Sequence, residues 1–112
     1  MNSFVCGARK APVEKSMAKA YWISWYRSIT NPAALAEYAK LAGPALQAQG
    51  GRTIVRGKAV KTFEGGTAER TVIIEFDSVE KAIAAYESEA YKAARKKLEG
   101  AVEREIRIVE GV

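Results

Sequence analysis

The sharpest pattern of apolar and polar positions lies between Glu69 and Glu80. Val72, Ile74 and Phe76 share one face at the two-residue period of a strand, and Thr71, Ile73 and Glu75 share the other. Asp77 follows as a predicted helix N-cap, with Glu80 three residues later completing a capping-box spacing. Val79, Ala82, Ile83 and Tyr86 then recur on one helical face. Helical character continues, with a jog near Ser88, to about Leu98, and Gly100 stops it.

The same reading extends along the chain from Tyr21. Residues Tyr21 to Ile29 are aromatic and β-branched, which predicts a strand with faces Tyr21-Ile23-Trp25 and Trp22-Ser24-Tyr26. Asn31 caps a helix with Pro32 at its first position, and Leu35, Tyr38, Ala39, Ala42 and Leu46 form its apolar stripe. Pro44 is expected to break or kink that helix, and Gly50-Gly51 to end it. Arg52 to Phe63 reads as a second strand with a bulge or close approach at Gly57, turning at Glu64-Gly65-Gly66-Thr67. Glu103 to Val109 alternates as a last strand, with Arg104, Ile106 and Ile108 on one side.

The order β-α-β-β-α-β predicts an α+β, ferredoxin-like fold: a four-stranded antiparallel sheet with both helices on one face. Trp22, Tyr26 and Ile54 are assigned to the other face. Three such side chains are too apolar to leave in water, so a second copy is expected to cover them.

Several motifs carry a family resemblance. Gly50-Gly51, Arg56-Gly57, Arg70 with Val72-Ile73-Ile74-Glu75-Phe76, Ser88-Glu89-Ala90-Tyr91 with Arg95, and the terminal Val109-Glu110-Gly111 resemble domain-of-unknown-function family 1330. The resemblance covers roughly Ala18 to Gly111; the first sixteen residues have no counterpart in it. It implies the dimeric α/β-barrel superfamily, which also holds monooxygenase-like, haem-degrading and lactone-isomerase domains. It further implies a ligand site on the helix side of the sheet, but no particular reaction.

Composition narrows the chemistry. The 112 residues suit one domain, and 48% apolar with 28% charged residues suits a globular protein. No apolar run approaches the roughly 20 residues of a membrane span, and no signal-peptide core is evident. Residues 1–16, with no sustained period, read as a flexible arm before a single domain at 17–112. The chain has no histidine and one cysteine, Cys6, so neither a zinc site nor an internal disulfide is expected. No other cofactor is expected, and the setting is taken as cytoplasmic. The net charge of +5 includes +2 in residues 1–16 and does not demand an anionic polymer.

Two constellations could carry chemistry. Ser88, Tyr91 and Arg95 fall on one helical stripe, so a hydroxyl, a phenol and a guanidinium could hold a carboxylate or enolate. The structural alternative puts Tyr91 in the core and pairs Arg95 with Glu99. Arg56 and Glu75, with Ser24, Trp22 and Tyr26 beside them, form the second group, on the dimer side. It reads either as a buried ion pair or as a carboxylate base of raised pKa. The cations at Lys92, Arg95, Lys96 and Lys97 point different ways and read as a solvated helix face. The function expected is a metal-free enzyme or binder for a small apolar or aromatic carbonyl compound or acid. Proton abstraction, isomerisation or cofactor-free oxygenation would use Glu75 or Tyr91 as acid/base, with Arg95 or Arg56 on the oxyanion. A non-catalytic ligand-binding or structural homodimer is the alternative, and RNA binding by sheet aromatics a more distant one; neither nucleic acid nor membrane is expected as a partner.

Overall fold

In the computed structural model, which describes residues 18–112, seven elements succeed one another. They are β1 (Ala20–Ile29), α1 (Pro32–Ala48), β2 (Arg52–Lys58), β3 (Arg70–Phe76), α2 (Val79–Glu87), α3 (Glu89–Lys96) and β4 (Val102–Glu110). All strand pairs are antiparallel and the sheet order is β2-β3-β1-β4, the ferredoxin-like α+β arrangement read from the sequence. The arm expected at 1–16 lies outside the described residues.

The sheet register decides which residues face the helices. Ala20 stands opposite Phe76, Trp22 opposite Ile74 and Ser24 opposite Val72, while β4 sets Ile108 and Ile106 beside Trp22 and Ser24. Trp22 packs against Phe76, Tyr86 and Tyr91, with an edge-on contact of 5.1 Å between the Trp22 and Tyr91 ring centroids. This corrects the sequence reading, which put Trp22, Ser24 and Tyr26 on the outer face. Strand alternation separates two sets but leaves their direction open, and Tyr21-Ile23-Trp25 is as apolar as its alternate. Pairing with Val72, Ile74 and Phe76 settles the direction. Ile54, the third residue assigned outward, is the extra residue of a bulge between Thr53 and Val55 and is exposed. Gly57, expected at a bulge or a close approach, is at neither: the bulge is three residues earlier, and a Cβ at Gly57 would meet nothing within 4 Å.

Local chemistry shapes the ends of α1. Asn31 Oδ1 accepts from the Ala34 N–H at 3.1 Å, and Pro32 opens the helix. The helix runs through Pro44 to Ala48, so the proline does not break it. Lys40, whose carbonyl loses its donor to Pro44, is exposed and can meet water, and Gly43 brings no Cβ against the ring. The helix closes with the Gly50 N–H on the Gln47 carbonyl and the Gly51 N–H on the Leu46 carbonyl, with Gly50 at φ 90°. Gly51 then passes so close to the core that a Cβ would stand 2.9 Å from the Phe76 ring.

Two further boundaries differ from the sequence reading. Strand β2 stops at Lys58, not Phe63, and the turn at Glu64 (φ 54°) and Gly65 (φ 85°) sits in a longer connection. Ser78, not Asp77, caps α2, accepting from the Lys81 N–H at 3.2 Å. The Asp77 carboxylate is already engaged by Arg52 and Lys19. The jog expected near Ser88 is a full break, with Ser88 extended at ψ 152° between α2 and α3.

Candidate functional site

The long helix α1 does not lie flush on the sheet. Between them is a cavity of about 80 Å³, walled by Trp22, Ser24, Val72 and Ile74 from the strands and by Leu35, Tyr38, Ala42 and Leu46 from the helix. Thr53, Arg56 and Arg70 form its rim toward β2. Arg56 stands opposite Val72 and Lys58 opposite Arg70, so the two arginines are diagonal neighbours on the covered face. No carboxylate lines the cavity. Among the described residues neither arginine is in an ion pair, and Arg70 Nε is buried without an acceptor. A buried N–H left without a partner costs about 1–3 kcal/mol. Ser24, buried in the same wall, accepts from Trp22 Nε1 at 2.9 Å through its Oγ, which leaves its own hydrogen free to donate.

Next to the cavity, three phenols from three other elements meet around Arg104. Its Nη1 donates to the Tyr26 and Tyr38 hydroxyls at 3.1 and 3.2 Å, and its Nη2 to the Tyr91 hydroxyl at 3.2 Å. The Tyr38 and Tyr91 hydroxyls are 2.6 Å apart. Burial pushes the Tyr91 phenol far above its ordinary value, the neighbouring Tyr38 adding to the effect and Arg104 opposing it. Tyr26 is raised as well, again mainly by burial and against the attraction of Arg104. The Tyr91 and Tyr26 phenols are therefore neutral partners of the guanidinium. The sequence reading did not single out Arg104. Its place on one strand face with Ile106 and Ile108 was the available signal, because an arginine on an inward apolar face needs buried partners.

The open face holds a different network. Glu75 accepts from Arg52 Nε at 3.1 Å and from the Tyr21 hydroxyl at 3.1 Å, while Asp77 accepts from Arg52 and Lys19 at 3.1 and 3.3 Å. Glu75 points away from the helices as expected, but its partner is Arg52 and not Arg56, which lies through the sheet. Hydrogen bonds first from Arg52 and then from Tyr21 hold its pKa below the usual carboxylate value, the opposite of a raised-pKa base.

The three residues of the helical stripe have separate duties. Ser88 donates to the Ala85 carbonyl at 2.8 Å and accepts from the Tyr91 N–H, bridging the break between α2 and α3. Tyr91 is in the phenol cluster. Arg95 lies over the Tyr86 ring at 4.7 Å, and no Arg95–Glu99 ion pair is found among the described residues. Lys92 pairs with Glu89. Among the described residues no group of three histidine, cysteine, aspartate or glutamate side chains could hold a metal ion, and no helix is long and apolar enough to cross a membrane.

Comparison with known proteins fits this geometry. The domain of unknown function DUF1330 matches residues 19–112. The chain belongs to the DUF1330 family. No curated protein matches it. Among solved structures, this DUF1330 chain is similar to the RPA0582 protein of unknown function from Rhodopseudomonas palustris, with TM-score 0.68 and 19% identity over 86% of this chain and 84% of that one. It is also similar to an ethyl tert-butyl ether d (EthD) family protein from Bacillus halodurans, with TM-score 0.57 and 15% identity over 84% and 99% of the two chains. A candidate antibiotic biosynthesis monooxygenase from Nitrosomonas europaea matches with TM-score 0.56 and 9% identity over 86% and 91%. At these identities the likeness is one of fold.

Proposed function

We propose that this DUF1330 chain is a homodimeric binding protein for a small apolar or aromatic organic acid or carbonyl compound. The observation that carries this reading is the cavity under α1, which has apolar and aromatic walls and two arginines on its rim without a carboxylate. Apolar walls with a few convergent polar groups are what a small-molecule site requires. The lining favours binding over turnover. It offers arginines, phenols, a serine and a threonine, while the chain has no histidine and Glu75 lies across the sheet.

The homodimer is supported by the open face. Tyr21, Ile23, Trp25 and Ile73 are only half-buried there and Val109 is exposed. Around them Lys19, Arg52, Arg27 and Arg107 alternate with Asp77, Glu75 and Glu105, a balance that a two-fold copy can match sign against sign. A stable pairing of this kind buries about 2,000 Å².

Two experiments test the reading. Sedimentation at micromolar concentration should give a dimer, and a stable monomer would contradict that half of it. Melting curves against a panel of three- to nine-carbon acids, amides and ketones should reveal a saturable rise in Tm, because a ligand that binds only the folded state adds about 2.7 kcal/mol at one hundred times its Kd. A flat response across the panel would contradict the binding half.

A further inference from the structure

We infer that the ligand of the α1 cavity is a short-chain aliphatic monocarboxylate, its carboxylate on Arg70 and Ser24 and its tail against Val72 and Leu46. This rests on the binding reading above and narrows it in two respects, charge and size.

Charge follows from the polar end of the cavity. Arg70 and Arg56 are diagonal neighbours of like sign with no acid lining the space between helix and sheet. Like charges set together without a counter-charge disfavour the empty state, and an anion relieves that cost. Arg70 Nε is the one buried donor of this end that lacks an acceptor among the described residues, and the Ser24 hydrogen is free beside it. A planar guanidinium and a hydroxyl suit the two oxygens of a carboxylate.

Size follows from the apolar end. The cavity measures about 80 Å³. An apolar cavity of about 150 Å³ accommodates benzene, so half that volume holds a tail of roughly three or four carbon atoms. At the end of α1, Gly51 packs close to the core, where a Cβ would stand 2.9 Å from the Phe76 ring.

The test is calorimetric titration of the full chain at low salt with butyrate, butyramide, benzoate and inorganic phosphate as probes. Butyrate should bind saturably, and each of the other three about tenfold more weakly or not at all. Arg70→Gln should weaken butyrate by about tenfold or more, the effect of losing one charge-assisted bond, without lowering the Tm of the free protein. Arg56→Gln, at an exposed position, should weaken it severalfold and serves if Arg70→Gln misfolds. Benzoate binding as tightly as butyrate would overturn the size assignment while leaving the binding reading intact. Equal binding of butyramide would overturn the charge assignment, and equal binding of phosphate would overturn the role of the tail. Butyrate affinity unchanged in both arginine variants would overturn the location. Silence from butyrate and benzoate alike overturns this inference, and only a flat response to the wider panel of acids and carbonyl compounds would remove the binding reading with it.

Discussion

Arg52 and Arg70 stand on adjacent strands of one sheet, on opposite faces and in opposite states. Arg52 is matched by two carboxylates, Glu75 and Asp77, at 3.1 Å each. Arg70 has no carboxylate partner among the described residues and buries an Nε without an acceptor. The first state is that of a residue whose work is done within the fold: it ties β2 to the end of β3 on a half-exposed surface, where such pairs are worth little individually. The second is a standing cost to the fold, and it lies in a cavity. Arg104 is the intermediate case, a part-buried cation satisfied by phenols alone. The lesson is that the state of a charge, more than its presence, separates a surface brace from a ligand anchor.

The strongest challenge to this contrast between faces is Trp22→Ala against Trp25→Ala. Trp22 is wholly enclosed by Phe76, Tyr86 and Tyr91, so its truncation should remove about 3–5 kcal/mol and several times the Tm change seen for Trp25. Trp25→Ala should act mainly on the dimer, which sedimentation reads directly. Equal melting losses would dissolve the distinction between the faces.

A smaller effect is expected from Tyr91→Phe, which keeps the ring and removes a hydroxyl bonded to Tyr38 and Arg104. It should cost about 1–3 kcal/mol at neutral pH in chemical denaturation. The pH dependence sharpens it. Because burial raises the Tyr91 and Tyr26 phenols in the folded state, their contribution is complete below the ordinary tyrosine pKa and is lost as pH rises above it. Stability should fall above about pH 10, by up to about 1.4 kcal/mol per pH unit for each such group, and less steeply in Tyr91→Phe. On the open face the sign is reversed. Glu75 and Asp77 are held below their ordinary values by Arg52 first, so what they add is present at neutral pH and lost as pH falls through their folded-state pKa values. Glu75→Gln should therefore lower Tm modestly at neutral pH and, with that contribution already gone, flatten the acid limb of a pH–Tm curve. An unaltered acid limb would show that this network does not stabilise the fold.

Much of the fold was legible because its signals are local. The Asn31-Pro32 start, the Gly50-Gly51 stop and the Val72-Ile74-Phe76 alternation each depend on neighbouring residues, and each stands where expected. What failed depended on long-range choices. The inward direction of Trp22, Ser24 and Tyr26 is fixed by pairing with β3, fifty residues away in sequence. Asp77 lost the capping role because Arg52 and Lys19 compete for its carboxylate, and Ser78 stood ready beside it. The candidate site was legible in its residue types but not in its grouping. Arg56, Ser24 and Tyr26 do share the cavity, yet with Arg70, and Glu75 is excluded by the sheet between them. A bulge at Ile54 resets the parity of β2, and no alternation rule anticipates where a strand will take up an extra residue.

The measurement that tests the account most directly is a paired melt of Arg52→Gln and Arg70→Gln, each alone and with saturating butyrate. Arg52→Gln should melt below the parent chain and keep its butyrate-induced rise in Tm. Arg70→Gln should melt at or above the parent chain and lose that rise. The reverse pattern, with Arg70→Gln destabilised in the absence of ligand and both variants still responding to butyrate, would contradict it.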